Sequence, residues 1–183
     1  MKDKKPHAHM IRIAERIQES LAPACERGPE IAGSLRRQKA EIGDIELIAV
    51  PRPCLDLFGQ PAEITEVDLL LMQWLGEGKI AISKSGEKYK QFEVIGSQGT
   101  RYQVDLFLQP DPATWGVNMM IRTGSAEFSR RMVTKQSLGG LMPDYCSVRE
   151  ARIWIFGQPQ ETPEEADVFA LYGMDYIDPP QRY

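Results

Sequence analysis

Asp44 and Glu46 stand two residues apart at the head of an apolar run, Ile45, Leu47, Ile48, Ala49 and Val50, that reads as a buried strand. Side chains alternate across a strand, so the two carboxylates project from one face, with Cα atoms roughly 6.5 to 7 Å apart. Such a pair can share divalent cations. Just upstream, Gly33 and Ser34 offer backbone N–H groups and a hydroxyl that can approach an anion closely, most favourably where a helix begins. Arg36 and Arg37 add permanent positive charge. One side of the stretch Ile31 to Pro51 thus suits phosphate oxygens, and the other suits the metals that bridge to them. The same residues also describe a strand with solvated acids beside a basic turn; the Gly-Ser-x-Arg-Arg run is what favours the chemical reading.

A third acid lies far along the chain. Tyr102 to Leu108 reads YQVDLFL, an apolar strand with Asp105 inside it, and a charge there is costly unless it is paired or metal-bound. Lys84, Lys88 and Lys90 cluster near the turn Ser85-Gly86 of a hairpin expected over Lys79 to Ile95. They form either a solvated hairpin tip or a contact to DNA phosphates.

Gly33, Ser34, Arg36, Arg37, Gly43 and Asp44 follow the register Gly-Ser-x-Arg-Arg, five residues, Gly-Asp-x-acid. In this the sequence resembles the family X DNA polymerases, of the nucleotidyltransferase superfamily. Thr123-Gly124-Ser125 is similar to that family's hinge motif, and the ending ETPEEADVFALYGMDYIDPPQRY is similar to its C-terminal signature, so the resemblance spans residues 10–183. It implies nucleotide addition to a DNA 3′-hydroxyl in gap filling or repair. Asp44 and Glu46 would bridge two Mg²⁺ ions, with Mn²⁺ as a substitute, and Asp105 would be the third ligand. Gly33, Ser34, Arg37 and Gly43 would hold the triphosphate, and Gly124, Ser125 and Ser129 would meet the incoming nucleotide. Arg130 and Arg131, with Lys84 and Lys88, would lie along DNA. The implied partners are a deoxynucleoside triphosphate and primed, gapped or nicked DNA. The family's hinge also implies a cis peptide at Gly124–Ser125. Glu46 stands where the family usually has Asp, Ile121 and Arg122 replace an aromatic pair, and Ser129 replaces an Asn. Two other readings are a nucleotidyltransferase acting on a small molecule or protein, and a non-catalytic module that binds DNA ends.

The elements that must position these residues read as an α+β fold. A nucleotidyltransferase palm, a mixed sheet backed by helices, is expected over residues 1–112, and a small C-terminal helix/hairpin subdomain over 113–183. Met10, Ile13, Ala14, Ile17 and Leu21 recur at helical spacing, with His7 and His9 assigned to a loose N-terminus. Pro51 to Pro61 reads as a loop, and Thr65 opens a second helix with a capping-box pattern. Pro110, Pro112 and Trp115-Gly116 mark the subdomain break. Beyond it, a helix runs from Ala126 to about Gln136, a hairpin covers 145–156, and Thr162 caps a last helix, with Glu165 closing a capping box and Gly173 ending the helix.

A net charge of −4 argues against a high-affinity, sequence-indifferent nucleic-acid binder, but Glu161 to Tyr183 holds six acids against Arg182 alone, so the rest is near neutral. Three scattered cysteines fit free thiols in a reducing compartment. With no membrane-length apolar run, the expectation is a cytoplasmic monomer.

Overall fold

The computed structural model describes residues 4–109 and 111–183. From the N-terminus, β1 (Lys5–Pro6) leads into α1 (His7–Leu21), β2 (Cys25–Ile31), the single-turn helix α2 (Gly33–Arg36), β3 (Glu41–Ile42) and β4 (Ile45–Pro51). There follow β5 (Pro53–Leu55), β6 (Pro61–Thr65), α3 (Glu66–Gly76), β7 (Ile80–Ser85), β8 (Tyr89–Ile95) and β9 (Arg101–Leu108). The remainder holds α4 (Trp115–Thr123), α5 (Ala126–Met132), β10 (Cys146–Arg149), β11 (Arg152–Ile155), β12 (Gln158–Gln160) and α6 (Glu165–Leu171). The fold is mixed α+β. Among the described residues no helix is long and apolar enough to cross a membrane.

The chain divides into two compact units, Met1–Ile31 with Ala40–Pro110, and Ala32–Lys39 with Asp111–Tyr183. The first is built on a five-stranded mixed sheet in the order β2-β4-β9-β8-β7, in which only β4 and β9 run parallel. Val104, Leu106, Phe92, Ile45 and Leu47 fill one face and are buried. Both long helices cover that face. His9 of α1 meets the Tyr102 hydroxyl at 2.9 Å, and Asp68 of α3 pairs with Lys90 at 2.5 Å; Tyr102 and Lys90 point to the same side as Val104 by strand alternation. Met10, Ala14, Ile17 and Leu21 form the buried stripe of α1, as their spacing requires. His7 and His9 are therefore helical, not loose.

Thr65 caps α3: its hydroxyl accepts from Asp68 N while the Asp68 carboxylate accepts from Thr65 N, a reciprocal box. Asp68 also receives Lys90, which is 3% exposed rather than solvated at the hairpin tip. The expected loop from Pro51 to Pro61 carries β5 and a turn that leads into its ladder partner β6, with Asp56 holding the turn by accepting from Phe58 N and Gln60 N.

The second unit packs α4, α5, α6 and a three-stranded meander, β10-β11-β12, around Val117, Met120, Phe128, Ile153, Val168 and Phe169. Trp115-Gly116 opens α4 instead of breaking the chain. Gly116 has no side chain because a Cβ there would stand 2.1 Å from the Glu164 carbonyl oxygen, and its N–H donates to Thr162 O. Pro110, part of the expected break, lies outside the described residues. Helix α5 stops at Met132, and Gln136–Leu138 forms a separate 3₁₀ turn, since the N–H groups of Val133 and Thr134 close the helix on Ser129 and Arg131 carbonyls. The N-cap of α6 is Glu164, boxed with Asp167, while Thr162 is buried and donates from its hydroxyl to Ala113 O.

Candidate functional site

Parallel pairing of β4 with β9 sets Glu46 opposite Asp105, and β8 sets Gln91 opposite Asp105 on its other side. Register partners share a face, so Glu46, Asp105 and Gln91 form one polar row across three strands on the side away from α1 and α3. Asp105 is buried. One of its oxygens accepts from the Tyr89 hydroxyl at 2.6 Å and from Gln91 Nε2 at 2.8 Å, and the other accepts from Gln103 Nε2 at 3.0 Å. Three neutral donors fix the carboxylate's orientation without cancelling its charge. Strands in a sheet lie about 4.8 Å apart, and like charges directly opposite are destabilising.

That donor set fits a hard divalent cation, which Mg²⁺-type sites hold through one or two carboxylates with water and phosphate oxygens completing the shell. Asp44 precedes the first ladder pair, Ile45 with Val104, so the sheet does not set its direction. Among the described residues no group of three or more histidine, cysteine, aspartate or glutamate side chains is placed to hold a metal ion. Glu46 and Asp105 are thus brought into register, and Asp44 is not gathered with them into a three-ligand cluster.

The turns expected to hold nucleotide belong to the second unit. Gly33 adopts φ 61°, a left-handed conformation that only glycine takes without strain, and it opens α2 with Ser34. Arg37 Nη1 donates to Thr123 O at 2.5 Å and Gly124 O at 2.8 Å, supplying partners to carbonyls at the end of α4. Arg36 donates to the Thr123 hydroxyl at 2.7 Å and to Glu165 Oε2 at 2.8 Å. The Gly33-Ser34 turn and the Thr-Gly-Ser turn are thereby stapled together. These long-range bonds are why Ala32–Lys39 groups with the second unit and not with the residues on either side of it.

Ser125 caps α5 through Phe128 N, and Ser129 donates to Ile121 O at 2.7 Å. The cis peptide implied at Gly124–Ser125 is not present; among the described residues the cis bond is Gly28–Pro29. Arg130 is exposed and paired with Glu127, Arg131 is exposed, and Lys84 lies 5.5 Å from the Tyr89 ring centroid. Lys88 is exposed beside the β7–β8 turn, and Gly43 directly precedes Asp44.

The residues that position these groups, Tyr89, Gln91, Gln103, Glu165 and Arg182, carry no motif of their own. Gln103, two residues before Asp105 on the same strand, had a detectable signal, as did Tyr89 and Gln91, two apart on β8 and so on one face of it. Glu165 and Arg182 had none beyond their charge. A cavity of about 720 Å³ near the β5–β6 ladder, walled by Pro53 and Pro61 with Glu26, Glu63 and Glu87, includes none of the expected site residues.

No protein-family model matches the sequence, and comparison with curated proteins finds no match.

Proposed function

We propose that the chain is a nucleotidyltransferase of the family X DNA polymerase kind, adding deoxynucleotides to a DNA 3′-hydroxyl. The observation that carries this reading is the register of Glu46 against Asp105 on parallel neighbouring strands, with the Asp105 carboxylate oriented by Tyr89, Gln91 and Gln103. In this reading Glu46 and Asp105, with Asp44 beside them in sequence, would hold Mg²⁺. A divalent cation held there would supply Lewis-acid activation of the attacking hydroxyl and charge compensation at the phosphate.

The chain's own residues do the rest. Ser34 and the Gly33 backbone offer donors to phosphate oxygens, while Gly124, Ser125 and Ser129 shape the turn that meets sugar and base. Arg36 and Arg37 support the assignment of both turns to one ligand, because they bind the two turns to each other. Arg130, Arg131, Lys84 and Lys88 supply positive charge for strand phosphates.

A non-catalytic DNA-end module is the second reading. It is favoured by the three neutral donors that already satisfy Asp105 and by the lack of a three-ligand cluster among the described residues. One experiment separates the two. The protein is incubated with primed, gapped and single-stranded DNA, Mg²⁺ and each labelled deoxynucleotide. Primer elongation that disappears in a folded Asp105→Asn variant supports the transferase; retention of DNA ends with no elongation on any substrate supports the module.

A further inference from the structure

Tyr89 and Phe107 stand opposite one another in the β8–β9 ladder, and their rings stack with centroids 5.1 Å apart and planes 24° from parallel. The stack fixes where the Tyr89 hydroxyl stands. That hydroxyl accepts from Gln91 Nε2 at 3.0 Å and donates to Asp105 Oδ1 at 2.6 Å. The same Gln91 nitrogen donates to Asp105 Oδ1 at 2.8 Å, so both of its hydrogens are used inside this triangle. Neither donor can turn away from Oδ1 without breaking a second bond.

An ionised carboxylate offers about two lone-pair directions on each oxygen. Oδ1 uses both, on Tyr89 and Gln91. Oδ2 receives one hydrogen bond, from Gln103 Nε2 at 3.0 Å, and keeps one lone pair for another partner. Asp105 can therefore meet a cation through Oδ2 alone. Hard cations differ in how they respond to that limit. Ca²⁺ takes about six to eight oxygens and readily uses both oxygens of one carboxylate, whereas the smaller Mg²⁺ is octahedral and completes its shell with water and phosphate. Mn²⁺ shares the octahedral preference.

We propose that Tyr89 and Gln91 determine cation specificity: by occupying Oδ1 they hold Asp105 to ligation through one oxygen and so disfavour Ca²⁺ relative to Mg²⁺ and Mn²⁺. The proposal rests on the divalent-cation reading of Glu46 and Asp105 and adds which cation the pair selects. Both residues act through the Asp105 carboxylate, as outer-shell partners of a metal ligand do.

Electron paramagnetic resonance of Mn²⁺ tests this on the full chain, without nucleotide or DNA. Mn²⁺ is titrated first, and Ca²⁺ is then added to displace it, which gives the two affinities and their ratio. Tyr89→Phe keeps the ring and its stack while opening one lone pair of Oδ1; Gln91→Ala opens the other and serves should the first variant fold poorly. In each, affinity for Ca²⁺ relative to Mn²⁺ should rise about ten-fold. An unchanged ratio in the folded variants would overturn the proposal, even where both affinities fall, since the two residues would then only support the carboxylate. The cation reading fails by a different result: Mn²⁺ bound equally by wild type and Asp105→Asn, or by neither, would remove the metal from Asp105 and the selectivity with it.

Discussion

Arg182 donates from Nη1 to Oε1 of Glu165, with the guanidinium wholly buried and the carboxylate 7% exposed. Arg36 and the Tyr176 hydroxyl take the other oxygen at 2.8 and 2.7 Å. Arg182 Nη2 has no hydrogen-bond partner; the rings of Phe128, Phe169 and Tyr176 surround the guanidinium at 5.1 to 5.6 Å and supply cation–π attraction instead. Burial alone would push the Glu165 carboxyl up, but the hydrogen bonds and charges of Arg182 and Arg36 outweigh it and hold the group below its ordinary value.

A depressed carboxylate stabilises the fold above its unfolded pKa of about 4.3 and loses that contribution as pH falls through the lower folded value. The thermal midpoint should therefore drop on acidification below about pH 4. Glu165→Gln should flatten this pH dependence and cost about 3–5 kcal/mol at neutral pH, since it strands two cations, one of them wholly buried. Calorimetry from pH 3 to 7 on both proteins checks the slope and the offset.

Asp105→Asn should leave the fold nearly intact, costing about 1 kcal/mol, because the amide oxygen keeps one acceptor for Tyr89 and Gln91. Under the transferase reading it should lower nucleotide addition to background. Near-normal addition by the folded variant would remove Asp105 from the metal.

Glu46→Asp tests arm length at fixed charge. Addition should be retained or improved, whereas Glu46→Ala should abolish it. Equal losses in the two variants, measured by primer elongation, would mean that the site is built for the longer side chain.

Lys90 and its neighbours in the hairpin should part company. Lys90→Ala removes a buried cation that pairs with Asp68 and donates to Gly86 O at 3.0 Å, and it should cost about 2 kcal/mol. Lys84→Ala and Lys88→Ala should change stability by less than about 0.5 kcal/mol. If they contact DNA, their loss reduces affinity alike for all sequences and flattens its salt dependence. Urea unfolding and DNA titrations at two salt concentrations separate the three.

What was legible in the sequence was local. Helical spacing placed α1, the Thr65-x-x-Asp68 box placed the start of α3, and alternation on either side of Ser85-Gly86 placed β7 and β8. That Asp105 would stand near Glu46 came from the family resemblance alone; the pairing itself is a long-range register that spacing within either strand does not set. The partners of Lys90, Arg36 and Arg182 were not legible either. Each is decided by a residue on another element, and a charge in sequence looks the same whether it is solvated or enclosed by rings and a carboxylate. The cap of α6 was misplaced for a related reason: the Thr162 hydroxyl donates to the Ala113 carbonyl on another element, and Glu164, boxed with Asp167, takes the cap position.

The second unit is discontinuous, taking Ala32–Lys39 from the early part of the chain and everything else from Asp111 onward. During synthesis Arg36 and Arg37 leave the ribosome long before Thr123, Gly124 and Glu165 exist, so the basic turn waits in water while the strands around it can already pair. A fragment that ends before Asp111 would keep the Ser34 turn's own backbone bonds, Arg37 N to Gly33 O and Lys39 N to Ser34 O, but would lack the Thr123 and Gly124 carbonyls and the Glu165 carboxylate that Arg36 and Arg37 reach.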